Sequence, residues 1–283
     1  MAKTKIVPPP LPHQQHGTQF LRDREAAALF DEQGLGKSRQ LIDTIVQERE
    51  AGTLDGALIV CPNTIKSTWC EEIQRYSDLT HAIFGSGRAA RRVAFRSLRA
   101  AFYVINYEAV AAELPSLRAL LRFKRMALVL DESHRIKSPT ARVTQAIQSL
   151  RRDASRRYIM TGTPVANKPE DLWAQYFFLD DGASLGRTFD DFRERFCTTR
   201  GGYTRVDELR NSMSTLSLRR AKENTVSLPP KTFVRVAVQL AGEQLRMYDE
   251  MRNGLALCPL LQPPLGIVEV DGAGGIVGKQ DKA

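Results

Sequence analysis

Cysteine is scarce in this chain and never closely paired: four in 283 residues, at positions 61, 70, 197 and 258. That spacing excludes a disulfide-stapled secreted domain and a zinc cluster, so all four are expected to be reduced and structural. Histidine is equally scarce. His13 and His16 lie three apart, but no cysteine or carboxylate cluster adjoins them, and they read as structural residues rather than a metal pair. Long apolar runs are missing as well. Apolar runs such as 57–61 and 126–130 fall far short of a bilayer's thickness, which excludes a membrane protein. The first ten residues, MAKTKIVPPP, hold lysines with no apolar stretch behind them and do not form a secretory signal. A cytoplasmic, nucleoid-associated location is expected. Acidic residues are outnumbered, 32 against 41 Lys and Arg, for a net charge of +9. Such a surface attracts polyanions, of which nucleic acid is the commonest for a soluble protein, although charge alone does not establish that partner.

What is present is a repeating unit. From about residue 26 to residue 180, short β-prone runs alternate with turns and helix-like segments, the signature of βαβ units and a mostly parallel sheet flanked by helices. Strands are predicted at 27–30, 57–60, 102–105, 126–130 and 157–160. Each is apolar on successive residues, as strands covered on both faces must be. Helices are predicted at 37–48, 65–75, 109–121 and 141–151. Both ends are expected to lack order: residues 1–10 contain a stiff triple proline, and the tail 253–283 becomes, from about Pro259, rich in proline and glycine without periodicity.

Two clusters carry chemistry. Behind the first predicted strand, the loop Asp31-Glu32-Gln33-Gly34-Leu35-Gly36 leads into Lys37 and Ser38 at the start of a helix. Glycines let backbone N–H groups turn onto phosphate oxygens, and the helix N-terminus adds its positive end. Lys37 can reach the β- and γ-phosphates of a nucleotide, and the Ser38 hydroxyl can ligate Mg²⁺. The general phosphate-loop pattern has glycine where this chain has Asp31. Behind the strand at 126–130 come Asp131, Glu132, Ser133 and His134. In an open parallel sheet, ligands bind beyond the carboxyl ends of the strands, so both clusters belong to one edge. There Asp131 would hold Mg²⁺ directly or through water, and Glu132 would orient and deprotonate the attacking water.

These sequences, Asp-Glu-Gln-Gly-Leu-Gly-Lys-Ser and Asp-Glu-Ser-His, resemble motifs I and II of superfamily 2 helicases, specifically the Snf2 family of DNA translocases. In that family aspartate is usual at the position of Asp31. Further similarities follow in order. Residues 12–17 resemble the adenine-contacting motif, with Gln14 in the contacting position. Cys61-Pro62-Asn63-Thr64, with Trp69, resembles motif Ia, and Asn106-Tyr107-Glu108 the next DNA-facing motif. Thr161-Gly162-Thr163-Pro164 resembles motif III, continued by Asn167 and Trp173. Leu218-Arg219-Arg220-Ala221-Lys222 and Leu228-Pro229-Pro230-Lys231 resemble the segment joining the two lobes of such enzymes. The resemblance implies a RecA-like P-loop NTPase lobe over 11–180, with a small helical extension and the start of an inter-lobe segment over 181–252. It implies ATP and Mg²⁺ as cofactors and double-stranded DNA as partner. Asn63, Thr64, Lys66, Asn106 and Thr163 would touch phosphate oxygens without reading bases. Arg219, Arg220 and Lys222 would either touch DNA or brace the lobes, and Trp69 and Trp173 are expected in the core.

The second lobe of Snf2 enzymes supplies arginines to the γ-phosphate, and none of its motifs occurs in these 283 residues. The expectation is therefore an ATP-binding lobe that hydrolyses ATP feebly until a separate second lobe or subunit joins it. The alternatives are a regulatory ATP- or DNA-binding module without turnover, and an unrelated P-loop NTPase, against which the matches at 106–108 and 161–164 weigh heavily.

Overall fold

The computed structural model of the chain describes residues 8–84, 99–165, 168–198, 202–226, 241–254, 267–270 and 276–280. The motif residue Asn167, the stretch 228–231 and Cys258 fall outside that set. Through Thr225 the chain forms one compact unit, and 226–283 form another.

The first unit is built on seven parallel strands: β1 (Ala26–Leu29), β2 (Gly56–Cys61), β3 (His81–Ile83), β4 (Phe102–Asn106), β5 (Met126–Asp131), β6 (Arg156–Met160) and β7 (Ser217–Leu218). Their order across the sheet is β3-β4-β2-β5-β6-β1-β7. Strand residues alternate between two core layers, as a period of two demands. Ala28, Leu58, Val60, Tyr103, Ile105, Leu128, Leu130 and Ile159 belong to one layer. Ala27, Leu29, Ala57, Ile59, Phe102, Val104, Val129, Tyr158 and Met160 belong to the other. This is why the runs read as apolar without interruption.

Helices cover both layers. On one lie α1 (Pro12–Arg22), α2 (Lys37–Glu50) and α3 (Lys66–Tyr76), which contribute Leu21, then Leu41, Ile42 and Ile45, then Trp69, Cys70 and Ile73. On the other lie α4 (Tyr107–Phe123), α5 (Arg142–Leu150) and α6 (Trp173–Asp180), with Val110, Leu117, Leu120, Ile147, Leu150 and Tyr176 turned inward. The architecture is therefore a three-layer α/β sandwich around a parallel sheet, as predicted.

Residues 181–225, part of the stretch 181–252 expected as a helical extension and the start of an inter-lobe segment, pack on this same core. Helix α7 (Phe189–Phe196) starts at a reciprocal cap: Asp191 N–H donates to Thr188 Oγ1 (3.1 Å) and Thr188 N–H to Asp191 Oδ2 (3.0 Å). It buries Phe192 and Phe196 completely, and α8 (Val206–Ser214) buries Leu209. Each such phenylalanine contributes about 1.5–3 kcal/mol of transfer free energy. Strand β7 then joins the sheet beside β1. At the far end of α2, Glu48 ties three elements together, accepting from Arg22 Nε (3.1 Å) and Arg156 Nη2 (2.8 Å).

The second unit holds α9 (Gly242–Gly254) and two antiparallel strands, β8 (Ile267–Val270) and β9 (Ile276–Gln280). The tail expected to be unstructured thus contains a strand pair, which suits the β-branched Ile-Val sequences that open both strands. Cys61, Cys70 and Cys197 are free thiols. Among the described residues no helix is long and apolar enough to cross a membrane.

Candidate nucleotide and nucleic-acid site

All seven strands run the same way, so the loops after β1, β2, β4, β5 and β6 emerge at one edge. The loop after β1 and the acidic corner after β5 are not direct neighbours: β6 lies between them, and its exit at Thr161 bridges the two.

The β1 loop turns on Gly34 (φ 85°) and Gly36 (φ 74°), both in the left-handed region that side chains disfavour. Gly36 is the N-cap of α2, and no side chain caps that helix. The first-turn N–H groups of the helix, which have no partner within it, therefore face the loop's mouth with the helix's positive end behind them. A Cβ on Gly36 would collide with Gln14 Nε2, which brings the side chain of Gln14, on α1, against the loop. Lys37 Nζ donates to the carbonyls of Asp31 (2.7 Å) and Glu32 (3.4 Å). Burial lowers its pKa, opposed by the negative charges of Asp31, Glu132 and Asp131. Ser38 follows it, half-buried, in the first turn of α2. Gln33 lies exposed against Gly162 of the β6 loop.

Two loop residues take positions the sequence does not reveal. Asp31 is fully buried, and its carboxylate accepts from Arg220 on both oxygens and from Gln40 Nε2 (3.2 Å). Leu35 is also buried, its carbonyl accepting from Gln40 Nε2 (3.2 Å) and lying 3.1 Å from His13 Nε2. The Asp31 carboxylate and the Leu35 carbonyl thus hold the loop in place. Arg220 also donates to His13 O and to Gln40 Oε1 (2.7 Å), so it joins α1, the phosphate loop and α2. No local pattern could assign Arg220 this role, because its acidic partner is 189 residues away.

At the β5 exit, Asp131 Oδ2 accepts from the indole N–H of Trp69 (2.8 Å), and Asp131 O accepts from Tyr107 Oη (2.8 Å). Burial pushes the Asp131 carboxyl up to about 6, reinforced by the charge of Glu132, while the bond from Trp69 and the charge of Lys37 pull it down. Trp69 and Trp173 are core residues, as expected from the sequence. A buried indole N–H needs an acceptor, and that requirement is the signal that points from Trp69 toward a site carboxylate. Glu132 itself occupies the left-handed region (φ 53°, ψ 52°), an unfavourable backbone for a side-chain-bearing residue that sites retain when they must aim a group. Its Oε2 accepts from Thr161 Oγ1 (3.2 Å) and lies 3.3 Å from His134 Nδ1. Thr161 Oγ1 in turn accepts from Thr163 N–H (3.1 Å). Behind this corner, Ser133 Oγ donates to Gln175 Oε1 (2.6 Å), and Gln175 Nε2 donates to Pro164 O (2.7 Å) and Asp171 O (2.8 Å). Gln175 thus fixes the β5 and β6 loops to one another.

The remaining predicted contacts line the same edge. Asn63 and Thr64 are exposed in a short turn after β2, and Thr163 is exposed after β6. Asn106 donates to Glu108 (2.7 Å). Lys66 is not a free surface cation: its ammonium donates to Phe84 O (3.1 Å) and Asn106 Oδ1 (3.3 Å).

Comparison with known proteins agrees with this geometry. The SNF2-related domain matches residues 13–262. The chain is 30% identical to TATA-binding protein-associated factor BTAF1 of Arabidopsis thaliana, over 92% of this chain and 14% of that protein. It is 29% identical to the ISWI chromatin-remodeling complex ATPase ISW1 of Saccharomyces cerevisiae, over 85% of this chain and 22% of that one. Among solved structures it is similar to the Sulfolobus solfataricus SWI2/SNF2 ATPase core in complex with dsDNA, with a TM-score of 0.67 and 26% identity, over 90% of this chain and 54% of that chain. The chain spans about half of that core and under a quarter of either curated relative. The matched residues take in the phosphate loop, the acidic corner and the bridge between them, and the chain belongs to the SNF2-related domain family.

Proposed function

We propose that this chain is the ATP-binding lobe of a DNA-dependent ATPase of the Snf2 type, active where duplex DNA is. The observation that carries the reading is the convergence, at one sheet edge, of an uncapped helix N-terminus with Lys37 and of Glu132 held by Thr161. The residues fit magnesium-ATP. Magnesium at phosphate sites takes one or two protein oxygens and completes its shell with phosphate and water, so the Ser38 hydroxyl and Asp131 suffice without a larger acidic cluster. When bound, the nucleotide brings the γ-phosphoryl group, and the metal spreads the charge that develops on it.

The chain's own residues divide the remaining work. Gln14 stands where it can select adenine, and the N–H groups of the Gly34–Ser38 turn and the Lys37 ammonium hold the β- and γ-phosphates. Glu132 takes the proton of the attacking water on a carboxylate oxygen, while the hydroxyl of Thr161 fixes the rotamer of that carboxylate. Thr161 also accepts from Thr163 N–H, so a phosphate of the DNA backbone at Thr163 is linked to the base through one hydroxyl. Asn63, Thr64, Asn106 and Thr163 form the DNA-facing surface, and the similarity to a Sulfolobus core solved in complex with dsDNA supports a duplex as partner. Because this chain spans about half of that core, efficient turnover requires a second lobe. An arginine delivered across such an interface is worth about 10³–10⁵ in rate.

ATP turnover, measured with and without duplex DNA, tests the proposal. Glu132→Gln is expected to retain ATP binding and lose at least about a hundredfold in turnover. Lys37→Ala is expected to lose ATP binding itself. Rapid hydrolysis by the wild-type chain alone would refute the need for a second lobe, and absence of both ATP and DNA binding would refute the assignment.

A further inference from the structure

Beyond β7 the chain keeps to the sheet edge instead of leaving it. Ala28 N–H donates to Leu216 O (2.7 Å), Phe30 N–H to Leu218 O (2.8 Å) and Glu32 N–H to Arg220 O (3.0 Å). Parallel pairing therefore runs past the end of β1 onto the phosphate loop itself. Ala221 remains extended (φ −95°, ψ 148°), so Arg220 and Lys222, two apart, project to the same side. Arg220 is fixed by Asp31, Gln40 and His13 O, and Lys222 N–H donates to Glu32 Oε2 (2.7 Å). The backbone on both sides of Ala221 is thereby pinned.

That pinning sets a lysine over a glycine. A Cβ built on Gly34 would lie 3.0 Å from Lys222 Cε and 3.1 Å from Lys222 Nζ. Among the described residues the Lys222 ammonium has no carboxylate or carbonyl acceptor. Lys37, three residues beyond Gly34, brings a second ammonium to the same loop. Two cations converging on one small loop suit a ligand carrying several negative charges at that point.

We propose that Lys222 is a second phosphate-binding residue of the nucleotide site, held over the phosphate loop by the Arg220–Asp31 lock and contacting the β,γ end of a nucleoside triphosphate. The proposal rests on the nucleotide reading above and adds a contact from outside the loop. Its consequence is that residues 216–225 register whether a triphosphate or a monophosphate occupies the site.

Calorimetric titration of the full chain with ATP, ADP and AMP at fixed Mg²⁺ tests it. Lys222→Ala is expected to weaken ATP about tenfold, the value of one charge-assisted phosphate contact, and to leave AMP unchanged. Lys222→Arg is expected to stay within about threefold of wild type for ATP. A purely structural lysine would lower all three affinities by one factor, and that result, or an unchanged ATP affinity in Lys222→Ala, overturns the proposal. The nucleotide reading is checked separately by Lys37→Ala. If Lys37→Ala loses ATP while Lys222→Ala does not, the role of Lys222 alone falls; if the wild-type chain binds none of the three nucleotides, both fall. Lys222 is half-exposed, so thermal melting of Lys222→Ala should match wild type.

Discussion

Asp131 shows how a single buried group ties stability to pH. Its carboxyl is raised from 3.8 to about 6, chiefly by burial. A group whose folded pKa is raised contributes stability that is fully present below its unfolded value and is lost as pH climbs through the folded one. Near pH 7.5, without divalent metal, the ionised carboxylate therefore costs the fold on the order of 1–3 kcal/mol. Asp131→Asn is expected to melt higher than wild type at pH 7.5 without Mg²⁺, and the gap should close as pH approaches 4. Melting curves at the two pH values decide this, and a gap that does not depend on pH would count against it. The site's adjacent residues are readable from the sequence, because Lys37 follows its glycines directly and Glu132 follows a buried strand. Asp31, Gln40 and Arg220 are not, since their association depends on a partner 189 positions away.

Among the elements, α3 connects two functions. Its first residue, Lys66, sits at the edge proposed to face DNA, and one turn later Trp69 holds the carboxylate proposed to take magnesium. Trp69→Phe keeps most of the buried ring and removes the N–H donor. The expected result is a three- to tenfold rise in the Mg²⁺ concentration that half-saturates ATP turnover, about 0.7–1.4 kcal/mol, with little change in melting temperature. A change in melting temperature without a shift in the Mg²⁺ requirement would show that Trp69 only fills space. The five longer strands are legible because burial on both faces leaves at least three successive apolar residues in each, even in β6, which opens with two half-buried arginines. Strands β3 and β7 are not: His-Ala-Ile is only partly buried at the sheet edge, and Ser-Leu is too short to show any period. The pairing of β8 with β9 is hidden because glycine content outweighs the two Ile-Val starts.

At the scale of the molecule, a net charge of +9 would favour encounter with the DNA proposed as partner, while the residues proposed to face its backbone are mostly neutral. Lys66→Ala is expected to change the slope of log affinity against log salt by well under one unit, because the ammonium is engaged inside the protein. It should instead lower stability by about 1 kcal/mol. Binding to duplex DNA across a salt series measures the first, and a full-unit change in slope would make Lys66 a phosphate ligand after all.

The last strand to leave the ribosome as part of this sheet is β7, yet it pairs beside the first, β1. The phosphate loop near the start of the chain therefore waits, through the synthesis of nearly all of the unit, for the arginine that neutralises its buried aspartate. A nascent chain stalled before Ser217 would expose an open sheet edge and an unpaired acid, a natural target for chaperones, and the proposed nucleotide site would be complete only when residue 220 clears the exit tunnel.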